Sequence, residues 1–261
     1  MSKLTRLRFC LKVFRNHSIF PCMALGLLFA GLPASSVQAA IPLRPGIGPT
    51  DMRQTVDMTA LPWSAIGRVQ TELGSRCTGF LIAPNVVETA AHCLFLPKTG
   101  HYIRPQDIHF LRAYSKGQYA AHARATRIIV SPNYDERREN ATAAFDRATL
   151  FLEVPVATPD QILPVASGLP SVGTDVVLGG YEQDFSEIIR SDMGCRVIGI
   201  GWDGEGKPLI RHDCSATRGS SGAPLLGRQP DGRWIVWGVQ ALANYGQGGE
   251  VVPLTDTYRS P

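Results

Sequence analysis

What most limits the fold of this chain is how short its apolar runs are. "CTGFLIA" and "NVVETA" are separated by Pro84, and "ATRIIV" stops at Ser131 and Pro132. "DRATLFLEV", "TDVVLGG", "GCRVIGI" and "RWIVWGVQAL" follow, each punctuated by Gly, Pro, Asn or Asp. Runs of strand length, several of them alternating, with 26 Gly and 19 Pro to supply turns, predict an all-β barrel or sandwich. No long helical periodicity, tandem repeat or low-complexity tract competes with that reading. Residues 153–173, "EVPVATPDQILPVASGLPSVG", are Pro-rich and weakly patterned. A connection that long inside a compact protein joins two bodies, here each of about 100 residues.

The first forty residues stand apart. Lys3, Arg6, Arg8, Lys12 and Arg15 precede an apolar run, and small residues lead into "SSVQAA". That order describes a secretory signal peptide cleaved after Ala39 or Ala40. The run falls short of the ~20 residues a spanning helix needs, which leaves an uncleaved anchor as the alternative. The expected organisation is a signal segment at 1–39, an arm and first β body at 40–155, and a linker with a second β body at 156–261. Five of the 26 Lys and Arg, and none of the 22 Asp and Glu, belong to the signal. The net charge of +4 therefore vanishes with it, and no nucleic-acid partner is expected.

Cys10 and Cys22 leave with the signal, so Cys77, Cys93, Cys195 and Cys214 remain. An even count in an exported chain predicts two disulfides. Four cysteines allow three pairings, of which Cys77–Cys93 and Cys195–Cys214 are the local closures. The spacings of a zinc site are missing, and no metal is expected.

Three stretches carry chemistry. In "TAAHC", His92 lies between small residues and a cysteine. In "RGSSGAPLL", Gly219 and Gly222 flank Ser220 and Ser221, as a tight turn exposing a nucleophilic hydroxyl requires. In "AAFDRATLFLEV", Asp146 precedes an alternating strand and is a candidate partner for an imidazole. The order His92, Asp146, Ser221 excludes an α/β-hydrolase, because no histidine follows Ser221.

Together, "CTGFLIAPNVVETAAHC", the Asp before "RATLFL" and "GSSGAP" resemble the trypsin/chymotrypsin-like serine proteases. The closest branch is the bacterial secreted group that includes glutamyl endopeptidases, whose start "TDMRQTVDMTALPWSAIGRV" is similar to. The resemblance covers roughly residues 50–255. It implies two perpendicular six-stranded β-barrels with the active site in the cleft between them. It implies Ser221 as nucleophile, His92 as general base, Asp146 orienting it, and the N–H groups of Gly219 and Ser221 as an oxyanion hole. It also matches Cys77–Cys93 to the family disulfide beside the histidine. A pocket for the substrate side chain is expected along Ser215, Ala216, Arg218, Gln240 and Ala241.

Departures from the family are visible too. Ser220 replaces the Asp that pairs with a new N-terminus in trypsin-like zymogens, and Gln240 stands where glutamyl endopeptidases carry a His. Glu88 replaces an apolar residue, so a buried carboxylate there needs a partner or a proton. The remaining histidines, His212 included, read as structural. The expectation is a monomeric, secreted or periplasmic serine endopeptidase acting on proteins or peptides. It would need no cofactor and keep no stable membrane association after signal removal. A non-catalytic binding protein of the same fold and an esterase-type acyl hydrolase are the alternatives.

Overall fold

The apolar runs become strands that close into two rings. The computed structural model describes residues 44–254, so the expected signal segment, with Cys10 and Cys22, lies outside the described residues. The first ring is built from β2 (Ile66–Thr71), β3 (Arg76–Ala83), β4 (Val86–Thr89), β7 (Ile108–Arg112), β8 (Ala121–Val130) and β9 (Ala148–Leu152). They pair antiparallel in the order β2-β3-β4-β9-β8-β7 and close. Alternation decides which face turns in. On β7, Ile108, Phe110 and Arg112 are buried while His109 and Leu111 are half-buried. The register sets Phe110 between Val69 and Ala123, so a large ring is matched by smaller neighbours. The hairpin of β5 (Phe95–Leu96) and β6 (His101–Tyr102) lies apart from this ring.

The second ring uses β10 (Asp175–Gly180), β11 (Arg190–Trp202), β12 (Pro208–His212), β13 (Pro224–Arg228), β14 (Trp234–Ala243) and β15 (Gly249–Pro253). Its order is β11-β10-β13-β14-β15-β12, and β12 pairs back onto β11. Register shifts interrupt several pairs, including β10 with β11 and β14 with β15. Such bulges bend strands as closure demands. One further strand, β1 (Arg53–Thr55), pairs with β11 through Arg53↔Asp192 and Thr55↔Arg190. The arm therefore joins the second sheet, although it precedes the first in sequence.

The two barrels share one apolar cluster, which includes Ile66 and Phe80 of the first and Leu226, Val236 and Val239 of the second. The connection after β9 is laid along both. Leu163 N–H donates to Leu81 O at 2.9 Å, and Ala166 N–H to Val236 O at 2.9 Å. Helical structure among the described residues is limited to three-residue 3₁₀ turns, and no helix is long and apolar enough to cross a membrane. Among the described residues, Cys77–Cys93 and Cys195–Cys214 form disulfides, with sequence separations of 16 and 19. Closing loops of that length stabilises a fold by about 3 kcal/mol each.

Candidate active site

His92 opens the 3₁₀ turn that follows β4, behind the fully buried Ala90 and Ala91. Its neighbour Cys93 is bonded to Cys77 on β3, which ties the turn to the barrel wall. Asp146 ends the 3₁₀ turn Ala143–Phe145, just before β9, and is wholly buried. Both of its oxygens engage one residue. Oδ1 accepts His92 N–H at 3.0 Å, and Oδ2 lies 2.6 Å from His92 Nδ1. An ionised carboxylate can only accept, so Nδ1 carries the proton and Nε2 presents a lone pair. Burial disfavours the imidazolium, but Asp146, by charge and by hydrogen bond, and then Glu136 and Glu139 outweigh it. The His92 pKa therefore lies above the ordinary histidine value.

Glu88 lies on the strand leading into His92, register-paired with Thr149 of the strand that follows Asp146. Its carboxyl found one partner. Thr149 Oγ1 donates to Oε1 at 2.6 Å, while the buried Oε2 has none. Burial pushes its pKa up to about 7, against the opposing Thr149 hydrogen bond and the charge of Arg147.

The turn that carries Ser221 is shaped by backbone contacts. Gly219 and Gly222 have φ of +95° and +84°. A Cβ on Gly219 would meet Tyr181 O at 2.3 Å, and one on Gly222 would meet Thr78 O at 2.0 Å. Only glycine fits both demands. All four carbonyls from Arg218 to Ser221 have donors. Gln183 N–H donates to Arg218 O at 2.7 Å, and Thr78 Oγ1 to Gly219 O at 2.8 Å. Ala223 N–H donates to Ser220 O at 2.8 Å, and Thr78 N–H to Ser221 O at 2.9 Å. A trans peptide points its N–H opposite its C=O, so these bonds also fix the directions of the Gly219 and Ser221 N–H groups. Ser220 turns inward, its hydroxyl donating to Thr217 O at 2.6 Å.

His92 and Ser221, one from each barrel, line a common cavity of about 510 Å³. Of the side chains expected in a substrate pocket, Arg218, Gln240 and Ala241 line it. Ser215 and Ala216 are fully buried and are not part of that lining. The arm covers Ala216, whose N–H donates to Gly46 O at 3.3 Å, and Pro45 takes a place in the cavity wall, while Ser215 N–H donates to Asp192 Oδ2 at 2.9 Å. Gln240 is fixed from behind. Its Oε1 lies 2.8 Å from His212 Nε2, and its Nε2 donates to Leu242 O at 2.9 Å. His212 Nδ1 accepts Cys214 N–H at 3.1 Å, so Nε2 is the donor to Gln240. Burial drives the His212 pKa down to about 4, which keeps it neutral.

Several residues at the site were not evident from sequence. Thr78 stood in plain view beside Cys77, but a strand threonine gives no sign of partners 141 residues away. Glu139 and Tyr245 in the cavity wall, and Tyr181, Glu182 and Gln183 beneath the turn, carried no motif. As for metals, Cys77, Cys93 and His92 offer ligand atoms within 4.8 Å of one another, but both sulfurs are committed to the disulfide.

Comparison with known proteins agrees with this fold. A family model described as Trypsin matches residues 52–254. The glutamyl endopeptidase of Bacillus licheniformis is 24% identical over 199 residues, covering 74% of this chain and 58% of that protein. The chain thus spans less than two thirds of the length of that relative. A solved structure of a Glu endopeptidase in complex with MPD shares the fold, with a TM-score of 0.66 at 19% identity, covering 80% of this chain and 94% of the other. With the family model matched from the arm's first strand to the end of the second barrel, the chain belongs to the trypsin family.

Proposed function

We propose that this protein is a serine endopeptidase in which His92, Asp146 and Ser221 form the catalytic triad. Ser221 Oγ attacks the peptide carbonyl while His92 Nε2 takes its proton. Asp146 holds the imidazole in the required tautomer and stabilises the imidazolium. The Gly219 and Ser221 N–H groups receive the oxyanion, where each donor is worth about 10²–10³ in turnover. His92 then protonates the leaving amine, and water, deprotonated by His92, hydrolyses the acyl-enzyme. Every step uses the chain's own groups and water. The two disulfides support a site of action where thiols stay oxidised, outside the cytosol.

The observation that carries this reading is the double grip of Asp146 on His92, beside a serine whose turn has each carbonyl anchored. A fluorophosphonate probe should label the purified protein stoichiometrically, and Ser221→Ala should abolish both labelling and cleavage of a mixed peptide library. Stoichiometric labelling with ester but no peptide turnover would make it an acyl hydrolase instead. An unlabelled but folded protein would leave only a binding role.

A further inference from the structure

The cation most deeply engaged near the nucleophile turn comes from the arm. Arg53, on β1, has a fully buried side chain. A buried guanidinium must find acceptors for its N–H groups, and three carboxylates surround this one. Nε donates to Asp51 Oδ1 at 2.9 Å, and Nη2 to Asp51 Oδ2 and Asp184 Oδ2 at 2.8 Å each. Nη1 donates to Asp184 Oδ1 at 3.0 Å and to Glu182 Oε2. The Arg53 hydrogen bond is the chief reason the Asp51 pKa falls to about 2. Phe185 lies under both Arg53 and Arg190, and Arg44 reaches Asp184 from the other side.

Three consecutive residues within reach of this cluster hold three points of the nucleophile turn. Tyr181 N–H donates at 2.9 Å to Thr78 Oγ1, which itself donates to Gly219 O. Glu182 Oε1 accepts Thr217 N–H at 2.9 Å. Gln183 N–H fixes Arg218 O, and with it the peptide whose other end is the Gly219 N–H. Glu182 is the hinge, with one oxygen on the guanidinium and the other on the turn. Without Arg53, the buried Glu182 loses the cation bonded to it, while the half-buried Asp184 retains Arg44. The relief open to Glu182 is to move toward water, and residues 217–219 would lose their seat.

We propose that Arg53 is a positioning residue for catalysis: through Glu182 it holds residues 217–219 in the shape that aims the Gly219 N–H at the oxyanion. This rests on the serine-endopeptidase reading and extends it to a residue that touches no substrate. Oxyanion stabilisation then depends on the arm being docked, because the cation is supplied by β1.

The test is the second-order rate of fluorophosphonate labelling at Ser221, since the phosphonyl oxygen occupies the oxyanion position. Near-UV circular dichroism and a melting curve would report the folded fraction beside it. Folded Arg53→Ala should label about 10²-fold more slowly, the loss expected for a misdirected oxyanion donor. Millimolar guanidinium ion should restore much of the rate in a saturable manner, whereas urea at the same concentration should not. Glu182→Gln, which keeps an acceptor for Thr217 but drops the charge, should lose about tenfold, as for one weakened charged hydrogen bond. Ile108→Val, a destabilising control in the first barrel, should label at the wild-type rate per folded molecule. A role confined to stability would lower the labelled amplitude and leave the rate untouched. Wild-type labelling by folded Arg53→Ala, or by Glu182→Gln if the alanine variant does not fold, overturns the proposal. Failure of the wild-type protein to label would instead bring down the endopeptidase reading, and this inference with it.

Discussion

His92 and His212 occupy opposite electrostatic situations in neighbouring barrels. Each has a side-chain partner at one nitrogen, within 2.8 Å. For His92 that partner is the Asp146 carboxylate, and the pKa is raised. For His212 it is the Gln240 amide, and the pKa falls to about 4. Glu88 completes the set as a carboxyl whose one bonded partner is a hydroxyl, and burial pushes its pKa up to about 7. Burial opposes the charged form in all three. Only where an imidazole and a carboxylate meet does the partner outweigh burial and make the ring easier to protonate.

The comparison is broken most directly by Asp146→Asn, which gives His92 the amide partner that His212 already has. The amide NH₂ can donate to Nδ1, moving the ring proton to Nε2, where it blocks acceptance from Ser221. The expected loss is about 10⁴-fold in kcat with the fold intact. Steady-state kinetics on whichever library peptide is cut fastest, with a melting curve alongside, would measure it. A loss below tenfold would mean that His92 does not depend on the carboxylate.

Glu88→Gln sharpens the contrast from the carboxylate side. The folded pKa of about 7 lies above the ordinary glutamate value, so between the two the native state binds the extra proton. The contribution to stability is full below about pH 4.3 and is lost as pH rises through about 7. Above that, the ionised carboxylate destabilises the native state by roughly 3 kcal/mol, an upper figure that the unpartnered NH₂ of the glutamine would reduce. The variant should therefore gain about 1–3 kcal/mol over wild type at pH 8 and little at pH 4. Urea denaturation from pH 4 to 9 would show it. Parallel stability profiles for the two proteins would refute the assignment.

How much of this was open to sequence reading depended on how local the chemistry is. Strand-length runs, the glycines flanking Ser221 and the short cysteine spacings are local constraints, and each was legible. The Asp146–His92 contact spans 54 positions, yet resemblance to a known family supplied it. Contacts that no motif marks were opaque. Thr78 reaches Gly219 and Arg53 reaches Glu182 across 141 and 129 positions, between residue types that occur on any strand. Glu88 is visibly out of place in the sequence, but its partner is set by the register that puts Thr149 opposite. The arm is rich in Pro and Gly over residues 43–49, a composition that suggests a loose tether. Gly46 instead threads between residues 216 and 244, with its N–H donating to Asn244 O at 2.7 Å, a closeness that no single-residue pattern announces.

The smallest expected effect concerns the two glutamates around His92. Glu139 lines the cavity and Glu136 accepts the Tyr134 hydroxyl at 2.6 Å, so neither is Asp146's equal as a partner. Their charges nevertheless add to the rise in the His92 pKa, after Asp146. A base works only when neutral, so the acid limb of kcat/KM should lie above the ordinary histidine value of about 6.5. Glu136→Gln and Glu139→Gln remove charge while keeping hydrogen-bonding capacity, and each should move that limb to lower pH without lowering the plateau. Raising ionic strength should shift the wild-type limb the same way, because charges at an open cleft are screened by salt while the buried Asp146 contact is not. If the double variant titrates where wild type does, the cleft glutamates are too well solvated to tune the base, and the raised pKa belongs to Asp146 alone.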